Sequence, residues 1–119
     1  VTRLQYRDPA RAVVDPATLS DDQLTVLARN REATALYAWE PYFHDPKLRR
    51  RLHRIGVPTL LLWGAEDGFV GAGYYGVAYR DAIPGARLET IAGAGHFPHL
   101  EQPEALVERI RRFLGERRS

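Results

Sequence analysis

A short apolar run in the second half of the chain most narrows the possible folds. Residues 57–63 (Val-Pro-Thr-Leu-Leu-Leu-Trp) carry no charge and stop at Gly64, a pattern typical of a strand buried on both faces of a parallel sheet. Residues 87–91 predict a second strand, and residues 74–83 predict a helix between the two. The sequence therefore predicts an α/β fold in which parallel strands are joined by crossover helices.

Capping signals predict three further helices. Ser20, followed by two aspartates and Gln23, predicts a helix that runs to about residue 39. Asp45-Pro46 predicts a helix that ends near residue 55, before Gly56. Pro103 opens an amphipathic helix that reaches about residue 114. Residues 1–19 contain two Asp-Pro pairs and predict an irregular segment.

Composition excludes several classes of partner and site. The 17 cationic and 15 anionic side chains nearly cancel, without the one-sided excess of a nucleic-acid binder. No apolar stretch approaches the roughly 18 residues of a membrane span. The chain has no cysteine, which excludes disulfides, thiolate metal sites and a cysteine nucleophile. We expect neither nucleic acid nor a membrane as partner and a cytoplasmic location, and leave the oligomeric state open.

An acid and a histidine follow the two predicted strands. Asp67 comes three residues after Gly64, and His96 follows residues 93–95 (Gly-Ala-Gly). The carboxyl ends of neighbouring parallel strands meet at one edge of a sheet, so these side chains should converge. A carboxylate that orients a histidine forms two-thirds of a hydrolytic triad. The third member is missing, because Ser20 and Ser119 are the only serines and neither lies in a Gly-x-Ser-x-Gly turn.

Three segments together resemble a known family: residues 58–67, 83–86 and 95–104. With these motifs, residues 31–114 resemble the C-terminal third of an α/β-hydrolase-fold enzyme and part of its cap. The resemblance implies a partial helical cap at residues 1–45 and the C-terminal part of the hydrolase core at residues 46–119. It also implies that Asp67 is the catalytic acid and His96 the catalytic base. No proline follows the acid as it does in many members, which leaves the pocket wall there less defined.

The resemblance implies serine-type hydrolysis of an ester or a carbon–carbon bond, without cofactor or metal. The nucleophile and the oxyanion hole would come from a missing N-terminal segment of the same chain, and the first residue, Val1, fits that expectation. These 119 residues alone are predicted to be inactive. An aspartate nucleophile would instead imply dehalogenase or epoxide hydrolase chemistry.

Aromatic and apolar residues near the catalytic pair, and in the predicted cap, suggest a small apolar or ester substrate. The candidates for substrate binding are Trp39, Phe43, Phe97 and Val70. His99 is expected to border the pocket, since no third ligand accompanies it for a metal. Glu66 is expected to be solvated, and Glu101 to cap the last helix.

A second hypothesis is that the chain is a complete, non-catalytic half-domain. Such a chain would bind a partner through the open edge of its sheet. Its weakness is that both the acid and the histidine are retained where no chemistry would need them. The oligomeric state discriminates between the two hypotheses, because a lone half-domain has to pair its exposed strand.

Overall fold

The computed structural model describes residues 2–12, 14–40 and 45–116. The chain forms two compact units, which we call the insert unit (residues 13–48) and the core unit (residues 1–12 and 49–119). The core unit thus includes the start of the chain as well as its second half. The predicted division at residue 45 into cap and hydrolase core stays a prediction.

Seven regular elements are present in the described ranges. Helices and strands follow in the order α1 (Thr2–Gln5), α2 (Asp21–Ala38), β1 (Leu60–Gly64), α3 (Val77–Ala82), β2 (Arg87–Ile91), α4 (Pro98–Glu101) and α5 (Pro103–Gly115). Single 3-10 turns lie at Pro9–Ala12, Pro16–Thr18 and Leu52–Arg54, and a π-helical turn at Ala72–Gly76 precedes α3.

The two strands pair in parallel, from Leu60 opposite Arg87 to Gly64 opposite Ile91. A helical crossover that contains α3 joins them, so the α/β class predicted from the sequence is confirmed. Most of β1 is half-buried rather than buried on both faces. The faces of a strand are covered by helices packed above and below the sheet, and the two-stranded sheet of the described ranges gives such helices little surface to pack on.

Ion pairs attach α5 to β2. The Glu89 carboxylate on β2 accepts hydrogen bonds from Arg109 at 2.6 Å and from Arg112 at 2.8 Å. The bond from Arg109 contributes most to lowering the pKa of Glu89, and it outweighs the opposing effect of burial. Arg87 pairs with Glu116 at 2.7 Å and lies over the Phe113 ring. These contacts fix the last helix beside the strand that leads to His96.

The predicted capping box of α2 is confirmed. Ser20 accepts a hydrogen bond from the Gln23 amide, and the Gln23 side chain accepts one from the Ser20 amide. No residue of α2 is buried in the described part of the chain. No described helix has both the length and the apolar character needed to cross a membrane.

The helix predicted from Pro46 to residue 55 is wrong. Asp45 does accept a hydrogen bond from the Lys47 amide at 2.8 Å, as a cap would. Residues 46–51 nevertheless form turns, followed only by the 3-10 turn at Leu52–Arg54. A helix would place Arg50 and Arg54 one turn apart on the same face, where like charges repel.

Candidate active site

Asp67 lies in the loop after β1 and is only 9% exposed. Its Oδ1 accepts hydrogen bonds from the backbone amides of Phe69 at 2.9 Å and Val70 at 2.8 Å. Its Oδ2 accepts a hydrogen bond from the Trp63 indole at 3.2 Å. An aspartate side chain that bonds amides two and three residues ahead is a common turn geometry, which explains why the sequence turns here. The carboxylate is therefore fixed in place before it meets the histidine.

These bonds keep the Asp67 carboxyl ionised. Burial, the largest single influence, raises the pKa of Asp67. The bonds from the Val70 amide, His96 and the Phe69 amide together lower this pKa by more than burial raises it. The net result is a pKa below the ordinary aspartate value. Asp67 is therefore a carboxylate at neutral pH, as an orienting acid has to be.

His96 meets Asp67 across the end of the sheet. The Nδ1 atom of His96 lies 2.9 Å from Oδ2 of Asp67, although 29 residues separate them in sequence. The Asp67 side chain is 3% exposed, and the His96 side chain is 30% exposed. With Nδ1 engaged by the carboxylate, Nε2 is the ring nitrogen left to exchange a proton. The structure thus brings together the two residues predicted to be catalytic.

Backbone packing holds the loops of the acid and the histidine together. A Cβ atom at Gly64 would overlap the carbonyl oxygens of Gly95 and Ala94, so only glycine fits at the end of β1. Gly93 has a positive φ of 78°, which a side chain would strain. The two loops therefore approach each other backbone to backbone.

Residues 93–96, which we call the histidine loop, donate hydrogen bonds from all four backbone amides to residues outside the loop. Glu66 accepts from Gly93 at 3.1 Å and from Ala94 at 2.9 Å. The Gly95 amide donates to Glu101 at 2.7 Å, and the His96 amide donates to the Gln5 carbonyl. Glu66 is exposed, as expected, but its carboxylate binds this loop as well as facing solvent.

The predicted role of Glu101 as a cap of the last helix is wrong. Glu101 is 7% exposed, and its Oε1 accepts from the amides of Arg7 at 2.9 Å and Asp8 at 3.3 Å. No side-chain hydrogen bond caps the start of α5. Sequence reasoning missed these contacts because Glu101 and Arg7 are 94 residues apart, and no local pattern signals such a pairing.

Two phenylalanines contact the histidine ring. The rings of Phe69 and Phe97 lie edge-on to His96 at centroid distances of 5.2 Å and 5.0 Å. Phe97 also contacts Tyr6 at 4.9 Å and His99 at 6.0 Å. Phe69 was not among the predicted site residues, and its position two residues after the acid is the signal that could have indicated it.

The remaining predicted substrate residues are placed differently. Val70 is half-buried, and its carbonyl accepts the Trp63 indole at 2.6 Å. Trp39 lies in the insert unit with 72% of its surface exposed. Phe43 falls outside the described residues. Substrate contact by any of these residues, or by Phe97, stays a prediction.

A cavity of about 210 Å³ opens beside the pair. It is lined by Leu62, Trp63, Gly64, Asp67, His96 and Pro98. Its apolar wall and its histidine suit a small group with a polar reacting centre.

Comparison with known proteins identifies related sequences. The sequence model of the alpha/beta hydrolase family matches residues 2–109. Esterase YbfF of Escherichia coli is 37% identical, over 54% of this chain and 28% of the esterase. Carboxylesterase YbfK of Bacillus subtilis is 35% identical, over 62% of this chain and 24% of that enzyme. The chain thus spans less than a third of the length of these curated relatives.

A solved structure is also similar. Est816, described as an N-acyl homoserine lactone degrading enzyme, superimposes with a TM-score of 0.55 at 26% sequence identity. The superposition covers 79% of this chain and 40% of Est816.

Proposed function

The chain belongs to the alpha/beta hydrolase family, and from that membership we propose that it is the acid-and-histidine part of a serine-type ester hydrolase. The observation that carries the proposal is the 2.9 Å bond between Nδ1 of His96 and the ionised Asp67. A histidine whose Nδ1 is bound in this way has Nε2 left to take a proton from the nucleophile, which is what nucleophilic catalysis requires.

The serine comes from another segment of a longer chain. Ser20 is engaged in capping α2, and Ser119 lies outside the described residues. In the first step, His96 Nε2 takes the proton of the serine hydroxyl while the serine oxygen attacks the ester carbonyl. Asp67 stabilises the imidazolium that results. His96 then gives this proton to the departing alkoxide, which leaves an acyl-enzyme.

Water releases the acyl group by the same route in the second step. His96 takes a proton from water as it attacks the acyl-enzyme, and returns a proton to the serine oxygen. No cofactor or metal enters either step.

The substrate we propose is an ester with a small apolar acyl or alkyl group. The names of the two curated relatives, an esterase and a carboxylesterase, favour an ester over a carbon–carbon bond. The cavity of about 210 Å³ beside Asp67 and His96 suits a short group against Leu62 and Trp63.

Hydrolysis by the longer chain tests the proposal. The coding region upstream of Val1 is read for a strand followed by Gly-x-Ser-x-Gly, and the longer chain is assayed with p-nitrophenyl butyrate. We expect His96→Ala to lower kcat by roughly 10³-fold or more, with kcat/KM falling in parallel, because the lost proton transfer acts in the transition state.

Glu104→Gln serves as the matched control, since Glu104 is exposed on the first turn of α5 and bonds to no residue of the site. We expect it to retain the parent kcat. The 119-residue chain alone is expected to hydrolyse an alkyl ester no faster than its own His96→Ala variant. A longer chain whose His96→Ala variant keeps the parent kcat contradicts the proposal, and a Gly-x-Asp-x-Gly turn upstream replaces it with an aspartate-nucleophile hydrolase.

A further inference from the structure

Glu101 is a buried carboxylate that the proposed reaction does not use. Only 7% of its surface is exposed. Removing a carboxylate from water is costly, and such groups are normally compensated by close hydrogen bonds or by a cation. The hydrogen bonds found for Glu101 are with three backbone amides, those of Arg7, Asp8 and Gly95. Its compensation therefore depends on the backbone of two other segments.

The two oxygens of Glu101 serve these two segments separately. Oε1 accepts the amides of Arg7 and Asp8, which follow α1. Oε2 accepts the amide of Gly95, the residue directly before His96, at 2.7 Å. Glu101 thus connects the segment of residues 5–8 to the histidine loop.

A second bond joins the same two segments. The amide of His96 donates to the carbonyl of Gln5, two residues before Arg7. The two peptides that precede the His96 side chain, Ala94–Gly95 and Gly95–His96, are thereby linked to residues 5–8, the first through Glu101 and the second directly. This backbone sets the direction of the imidazole. Loss of the bond from Gly95 to Glu101, or of the bond from His96 to Gln5, therefore moves Nδ1 relative to Asp67.

We propose that Glu101 is a positioning residue for His96. Its carboxylate, which accepts hydrogen bonds from both segments, holds the histidine loop against residues 5–8, and so keeps Nδ1 of His96 bonded to Asp67 and the ring in the tautomer with its proton on Nδ1. The catalytic value of this tautomer rests on the proposed function, whereas the positioning of the histidine loop by Glu101 does not.

Isosteric and shortened variants separate charge and reach from packing. Glu101→Gln keeps the shape but replaces one acceptor oxygen with an NH2 group. Whichever oxygen is replaced, the NH2 group faces a backbone N–H donor and cannot bond to it. Glu101→Asp keeps the charge but shortens the reach, so one of the two segments is released. Glu104→Gln makes the same chemical change three residues further on, at an exposed position outside the histidine loop.

The test is nitrogen-15 NMR of His96 in the longer chain without substrate, at a pH at which the imidazole is neutral. The imidazole nitrogen shifts report the fraction of each tautomer, and circular dichroism checks that each variant is folded. We expect the Nδ1–H tautomer to dominate in the parent chain and in Glu104→Gln. In Glu101→Gln its ratio to the Nε2–H tautomer should fall about tenfold or more, with a smaller fall in Glu101→Asp.

A folded Glu101→Gln variant with the parent tautomer ratio overturns the proposal, and so does an equal fall in Glu104→Gln. If Glu101→Gln does not fold, the ratio in Glu101→Asp decides in the same way. Failure here is distinguishable from failure of the proposed function, because the tautomer is measured without substrate and requires no turnover.

Discussion

At the scale of single residues, Asp67 combines burial with charge. Asp67→Asn keeps an oxygen for the amides of Phe69 and Val70, but it places an NH2 group where Oδ2 accepts from Trp63 and meets His96. His96 would then have to accept at Nδ1, which puts its proton on Nε2 and removes the base. We expect the longer chain to lose roughly 10⁴-fold in kcat, by analogy with the acid-to-amide change in the serine protease triad.

The same substitution has a predictable effect on stability. The folded-state pKa of Asp67 lies below its ordinary value, so its charge stabilises the fold above the unfolded pKa, and this is lost as pH falls through the folded pKa. We expect Asp67→Asn to lower the free energy of unfolding by about 1–3 kcal/mol at neutral pH, and by less in acid. Urea denaturation at several pH values measures this, and a difference that grows on acidification contradicts it.

Sequence reasoning located the acid and the histidine but not their support. Asp67 and His96 could be paired because each follows a recognisable strand, and the structure places them 2.9 Å apart. Their catalytic roles stay a prediction. Glu101 and Phe69 could not be identified, because their contacts depend on how distant segments pack, and no local period or spacing encodes that.

At the scale of elements, the end of β1 limits how closely the two loops approach. Gly64→Ala would drive a Cβ atom into the backbone carbonyls of Ala94 and Gly95. Because backbone atoms cannot rotate aside, we expect a loss of about 1–3 kcal/mol in unfolding free energy. The bond between His96 Nδ1 and Asp67 should also lengthen as the loops separate, and proton NMR would detect this as a weaker Nδ1–H signal at low field.

Gly71→Ala is the matched control. Gly71 has an ordinary φ of −67°, and nothing lies within 4 Å of the position its Cβ would take. We expect a change of no more than about 0.5 kcal/mol. Equal effects of the two substitutions would mean that the close approach at Gly64 does not hold the loops together.

Local signals predicted elements well where they agreed with one another. The capping box at Ser20 and Gln23 fixed the start of α2 correctly, and the apolar run before Gly64 located β1. The Asp45-Pro46 signal was equally regular but led to turns and a 3-10 turn in which Leu52 is buried. A capping signal alone did not stabilise a helix that would bring Arg50 and Arg54 together. The short helical turns within residues 1–19 left no periodic signal to detect.

At the scale of the whole molecule, the two units differ in what they bury. The core unit contains buried Ile83, Ile91 and Ala94, whereas no residue of α2 in the insert unit is buried. Local opening costs least where few apolar contacts are lost. In hydrogen exchange, we therefore expect amides of residues 21–38 to exchange about tenfold faster or more than those of residues 87–91.

Mass spectrometry of peptic peptides measures both segments in one sample. Peptides from α5 give an internal reference, because this helix is attached to β2 by the ion pairs of Glu89. Slower exchange of α2 than of β2 would show that the insert unit has gained a covering surface in solution, and would be followed by a measurement of oligomeric state.

The division into two units also affects how such a protein can change over generations. The two sequence segments of the core unit meet at Glu101, whereas the insert unit is one uninterrupted stretch, residues 13–48. Mutations, insertions or replacement of that stretch leave Asp67, His96 and their supports unaltered in sequence. A lineage can therefore accumulate changes in the insert unit without altering the sequence that holds Asp67 and His96 together.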